Sequence, residues 1–198
     1  MKKLLILTLV LFFTACDNKN ESPTEDANTN VESPKPETTA AVPSIEFSSL
    51  EEAIKSTKAE MADFADTEIS KGAAVFAYWA SEHLKWNDLQ KIESSKFALV
   101  MKDPDTERGK KLCTNASIVE IAVDNTMPNK VKIYTGALFD SSMRIYRFIA
   151  VGSTGELVAN SSAKFCGIVT GKNDYANSAG GVGHAIHLVG MFNLPENK

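Results

Sequence analysis

The sequence predicts a segregated α+β domain over residues 45–198, a helical part at 48–93 followed by a β-rich part at 96–192. Three observations predict it. Apolar residues recur at helical spacing through the first part, the period falls to two in the second, and nine of the eleven glycines lie beyond residue 135. Helices gathered ahead of strands argue against alternating βαβ units.

Taking the elements in order, Ser49-Leu50-Glu51-Glu52 fits a capping box, with the serine closing an open backbone N–H and Glu52 reaching back. Leu50, Ile54, Met61, Phe64 and Ala65 would then share one helical face. A second helix is expected over 67–83, where Ile69, Ala73, Phe76, Ala80 and Leu84 step by four, three, four and four. A third would run over 87–93. Tyr78, Trp79 and Trp86 are expected to pack against the following sheet rather than form a binding surface.

Strands are expected at 96–101, 117–124, 130–135, 144–151, 156–160, 164–170 and 185–192. Within 117–124 the alternation favours Val119, Ile121 and Val123 as the core face over Ile118, Glu120 and Ala122. Turn composition marks 124–129 and Gly152-Ser153-Thr154-Gly155. About six short strands with regular spacing fit either a small closed antiparallel barrel or an open sandwich. The stretch 110–192, with Tyr134-Thr135-Gly136 and Gly167-Ile168-Val169-Thr170-Gly171, resembles the OB-fold barrels of some envelope lipoproteins.

The N-terminus carries a different message. Lys2 and Lys3 precede an apolar run from Leu4 to Phe13, then Thr14 and Ala15 lead into Cys16. That is the charged, apolar, small layout of a secretory signal at 1–15. Ten residues make about 15 Å of helix, half of a hydrocarbon core. Phe13-Thr14-Ala15-Cys16 resembles the bacterial lipobox, with Phe13 where leucine is commonest. The resemblance implies export, cleavage before Cys16, and fatty acyl chains such as palmitate on that residue as a membrane anchor. Asp17 after the cysteine implies, by the enteric sorting pattern, the periplasmic face of the inner membrane.

Residues 17–44 hold four prolines, no aromatic residue and a charge of -4. With so little apolar surface to bury, the segment reads as a disordered tether of roughly 30 Å mean span. If Cys16 is acylated, Cys113 and Cys166 remain as an even pair in an oxidising compartment, where a disulfide is expected; two buried free thiols are the alternative.

Residues 45–198 carry only -2, so the basic field that phosphate binding requires is missing and no nucleic-acid partner is expected. Gly180-Gly181-Val182-Gly183 precedes an apolar strand and reads as a hairpin, not a pyrophosphate cradle. Residues 167–172 are one residue short of a P-loop, and Asn173 stands where a hydroxyl would hold magnesium. Ser161-Ser162-Ala163-Lys164 has S-x-x-K spacing without its companion motifs. His184 and His187 fall on opposite sides of a strand and would not share a metal. His83 has no evident partner.

No catalytic residue, metal ligand or cofactor is therefore expected. Tyr134, Arg144 and Tyr146, with Arg147 facing the other way, form the one aromatic–arginine cluster of the kind found at interfaces. The competing reading, a solvated edge with Tyr146 in the core, is preferred. The expected function is a non-enzymatic, membrane-tethered module that binds a protein partner in the envelope. An envelope enzyme with a site assembled only in three dimensions, or a barrel enclosing a small molecule, are the alternatives.

Overall fold

Helices come first and strands after, as the periodicity requires. The computed structural model describes residues 46–65, 68–125, 127 and 131–198. Among the described residues the helices are α1 (Leu50–Thr57), α2 (Lys71–His83), α3 (Trp86–Lys91), α4 (Phe97–Lys102) and α5 (Pro104–Glu107), with a 3₁₀ turn and the two-residue β1 (Phe64–Ala65) between α1 and α2. There follow β2 (Lys111–Asp124), β3 (Ile133–Asp140), β4 (Ile145–Ala150), β5 (Ser162–Ala176) and β6 (Val182–Phe192). The sheet order is β1-β5-β2-β3-β4-β6, and β5 also pairs with β6. The five long strands thus ring around and close on themselves, though not as a regular barrel. All of their pairings are antiparallel except β4 with β6.

The ring separates two apolar clusters. Strand alternation sends Tyr146, Phe148, Phe165, Leu188 and Phe192 inward, where their rings meet edge to face or tilted. Val100, with Phe97 and Met101 beside it, brings α4 onto this cluster. The alternate residues Ile149, Cys166, Ile168, Val189 and Met191 face outward and are covered by Leu50, Ile54, Phe76, Trp79, Trp86 and Leu89 of the first three helices. Both tryptophans therefore pack on the sheet, and Tyr78 is half-buried on the same helix.

Cys113 and Cys166 are direct cross-strand neighbours on β2 and β5, and they are bonded. Tight strand crossing at the same corner depends on Gly190. A Cβ there would stand 2.1 Å from the Cys166 carbonyl oxygen and 2.4 Å from the Gly167 Cα, both backbone atoms. Gly190→Ala is expected to cost about 3 kcal/mol or more, because the strands must part to admit a methyl group. A urea melt checks it: a loss below about 1 kcal/mol would mean that the crossing is not tight.

Several expectations are corrected. Phe64 and Ala65 do not continue the first helix: α1 tightens into a single 3₁₀ turn at Lys58–Glu60, and the two residues pair in parallel with Asn173 and Asp174. The second helix begins at Lys71, where Ser70 caps it, so Ile69 lies outside and exposed. In place of the strand expected at 96–101 stands the helix α4; Phe97, Val100 and Met101 are three and four apart on one face, a spacing that a short apolar run leaves ambiguous. Residues 156–160 form successive turns, with the Leu157 N–H donating to Thr154 and the Ser161 N–H to Val158.

The core face of β2 is also corrected. A bulge between Ile118 and Glu120 shifts the register, so Ile118 and Ile121 both point inward while Val119 is left outside. Simple alternation fails there by one residue.

Cys16, the signal at 1–15 and the tether all lie outside the described residues. Among those described, no helix is long and apolar enough to cross a membrane.

Candidate functional site

The inside of the ring is filled by aromatic and aliphatic side chains, so space for a ligand must be sought on its outer face. Cross-strand register builds a row there: Glu120 on β2 lies opposite Ala137 on β3, Ala137 opposite Arg147 on β4, and Arg147 opposite His187 on β6. The next outward row contains Ala122, Thr135 and Ile149. These two rows form the floor of a groove of about 600 Å³, walled by Ala74 and Ala77 of α2 and by Phe64, Glu68 and Ile69. Of the other outward positions, Cys166, Ile168, Val189 and Met191 lie under the helices, whereas Asn115, Ser117, Ser162 and Lys164 stay exposed.

Electrostatics divides the groove. Arg147 donates to the Glu120 carboxylate across the intervening strand. His187 is only 5% exposed; its Nδ1 and the Thr170 hydroxyl are 2.6 Å apart, and the edge of its ring meets Phe64 at 5.0 Å between centroids. Burial, helped by the Arg147 charge, pushes the imidazole far below its ordinary range. At neutral pH His187 is therefore an uncharged polar group on a largely apolar floor. Gly136 lets this face form, since a Cβ there would stand 2.0 Å from the Glu120 carbonyl oxygen at the bulge.

A second depression, of about 490 Å³, opens between β2, β3 and β5 and is lined by Asn115, Ser117, Asp140, Ser162 and Lys164. Its one deeply buried charge is already committed. Asp140 accepts from the Ser142 N–H, the Arg144 N–H, Arg144 Nε at 2.7 Å and the Tyr146 hydroxyl at 2.9 Å. Burial alone would raise this carboxyl, but those bonds outweigh it and hold the group below its usual value. The same burial, with Asp140 adding to it, pushes the Tyr146 phenol up to about 12.

The residues singled out in the sequence are thus divided. Arg144 and Tyr146 meet at Asp140, where they fasten the β3–β4 turn, and Arg144 also lies over the Phe97 ring at 5.3 Å. Tyr134 is opposite Ala150, at the far end of the hairpin from Arg144, with Lys132 over its ring. The three do not form one surface. Asp140→Asn removes the charge that gathers the turn and is expected to cost about 2 kcal/mol. The denaturant midpoint reads it, and an unchanged midpoint would show the turn to be held by something else.

The histidines fall into different settings. His83 Nδ1 is 3.0 Å from the Trp79 carbonyl, His184 pairs with Asp174 near the turn of the β5–β6 hairpin, and of the three only His187 enters the groove. Among the described residues, no three His, Cys, Asp or Glu side chains are placed to hold a metal ion. Glu120, Thr135 and Phe64 went unnoticed as site residues in the sequence. Only strand register joins them, and the bulge conceals that register. The chain matches no known family model and no curated protein.

Proposed function

We propose that this chain is an exported lipoprotein, anchored through acylated Cys16 to the periplasmic face of the inner membrane, whose domain binds an envelope protein without catalysing a reaction. The ring is read as an OB-like barrel. The strand circuit supports that reading, because the β5–β6 pairing joins edges that an open sandwich would leave apart. One observation carries the binding role: the ring interior is filled, while its outer face holds an apolar groove with a few polar groups, the usual composition of a binding site.

Two measurements test the proposal. The mature protein should have a mass beginning at an acylated Cys16, and Cys16→Ala should move it from the membrane to the soluble fraction; an unmodified mature protein would end the anchoring half. A photo-reactive side chain at Thr135 should give a saturable crosslink to one envelope component, and Ala74→Trp, which fills the groove from the helix side, should abolish it. A probe at exposed Val158, outside the groove, serves as the control. Identical products from both positions would remove the groove from consideration.

A further inference from the structure

The turn between β3 and β4 carries a large side chain where the backbone disfavours one. Asp140 and Arg144 are joined by a three-residue connection, with the Met143 N–H donating to the Asp140 carbonyl at 3.0 Å and the Asp140 N–H to the Arg144 carbonyl at 3.1 Å. The last residue of such a connection is left-handed, a place suited to glycine. Here it is Met143, with a φ of 62°. The other left-handed positions among the described residues hold glycine, as at Gly109, Gly152, Gly155 and Gly180, or asparagine, as at Asn160. Met143 is also the most exposed large apolar side chain among the described residues, at 74%. Backbone strain and an apolar group left in water both count against the free domain, and so little of the side chain is packed that the domain itself offsets neither.

The turn is nonetheless held firmly. The buried Asp140 carboxylate accepts from the N–H groups of Ser142 and Arg144, the residues on either side of Met143, and from Arg144 Nε. A methionine fixed in this way gives up little backbone freedom on binding, and its unbranched thioether adapts to an apolar pocket. Beside it, Arg144 is 43% exposed and gives only Nε to Asp140 among the described residues. The outer edge of its guanidinium is left to meet an anion.

We propose that this turn is a contact surface for a protein partner, in which Met143 enters an apolar pocket and Arg144 meets a carboxylate at the rim of that pocket. The groove is lined by the same two strands at Thr135, Gly136, Phe148 and Ile149, toward the other end of the hairpin. The two surfaces are therefore distinct.

The test uses the full chain, expressed in its own cells, with a photo-reactive side chain at exposed Ser142. It should give a saturable crosslink to one protein. Met143→Gly should lower the yield at least about tenfold, whereas Met143→Leu, which stays apolar, should lower it less than about threefold. In cell extract the yield should fall several-fold as salt rises from about 50 to 300 mM. The melting temperature of Met143→Gly should be unchanged or raised by up to about 3 °C, because a strained residue is relieved. A fall of more than about 3 °C would make Met143 a part of the fold and overturn the proposal. A crosslink indifferent to Met143→Gly, or one formed on lipid instead of protein, would do the same. A yield indifferent to salt would strike out the carboxylate. No crosslink from Ser142 beside an intact one from Thr135 would remove this surface and leave the groove standing.

Discussion

Replacing both bridging cysteines, Cys113→Ala with Cys166→Ala, is expected to remove about 4 kcal/mol of stability. The bond joins residues 53 apart in sequence. Opening a loop of that length returns about this much chain entropy to the unfolded state. For a domain of this size the melting temperature should fall by roughly 8–16 °C. The bridge is also asymmetric: Cys113 is exposed on β2, whereas Cys166 is fully buried against the helices. A reductant reaches the Cys113 sulfur first, and the thiolate it displaces would be left among Ile168, Met191 and the helix side chains, an unfavourable place for a charge. Reduction of the folded protein should therefore be slow and should accelerate sharply in mild denaturant. Differential scanning calorimetry of the double variant checks the first expectation. A melting temperature within about 2 °C of the unmodified protein would mean that the unfolded chain is already constrained.

The second large effect concerns acid. His187 is pushed down to about 3 by burial, with Arg147 on the neighbouring strand adding to it, against 6.5 for an ordinary histidine. Above pH 6.5 the imidazole is neutral whether the chain is folded or not, and pH has no leverage through it. Between pH 6.5 and 3 the unfolded chain binds a proton that the folded chain refuses, so stability falls as pH falls. By pH 4 the loss from this residue alone should be about 3 kcal/mol. His187→Gln can keep a bond to Thr170 without titrating. Its stability should run nearly level from pH 6.5 to 4 where the unmodified protein declines by about 1 kcal/mol per pH unit. Parallel curves for the two proteins would show that His187 accepts a proton in the folded state. Asp140 adds in the same direction only near the end of this range. Its carboxyl is held below the ordinary carboxylate value, so its contribution is present above the unfolded pKa and is lost as pH falls through the folded one.

The acid effect reaches the groove. His187 and the Glu120–Arg147 pair share one row across four strands, and α2 closes that row from the side. Protonating His187 would put a second cation beside Arg147 under Phe64 and Thr170. The floor of the groove is therefore expected to loosen in acid before the aromatic interior does.

How much of this was legible depended on the range of the interaction concerned. The Ser49 cap, the stripe through Ala73, Phe76 and Ala80, and the hairpin glycines at 180 and 181 are local signals, and each appears close to its expected position. Residues 97–101 misled because an apolar run of five fits either period, and packing on Tyr146 favoured the helix. Residues 156–160 misled because alternation alone does not provide a neighbouring strand. Arg144 and Tyr146 were correctly noticed as a pair, but their shared partner Asp140 makes them a turn clamp.

By itself, then, the sequence determined the order of helices before strands and the lack of a basic field, which follow from local periodicity and composition; the count of cysteines supplied the expectation of a Cys113–Cys166 bridge, and the fold supplies the bond. Tertiary structure alone decided which strands adjoin, and with that the row from Glu120 to His187 and the groove beneath α2. The physical reason is the bulge after Ile118. One extra residue reverses which side chains face out, and no local pattern records on which partner strand that residue is absorbed.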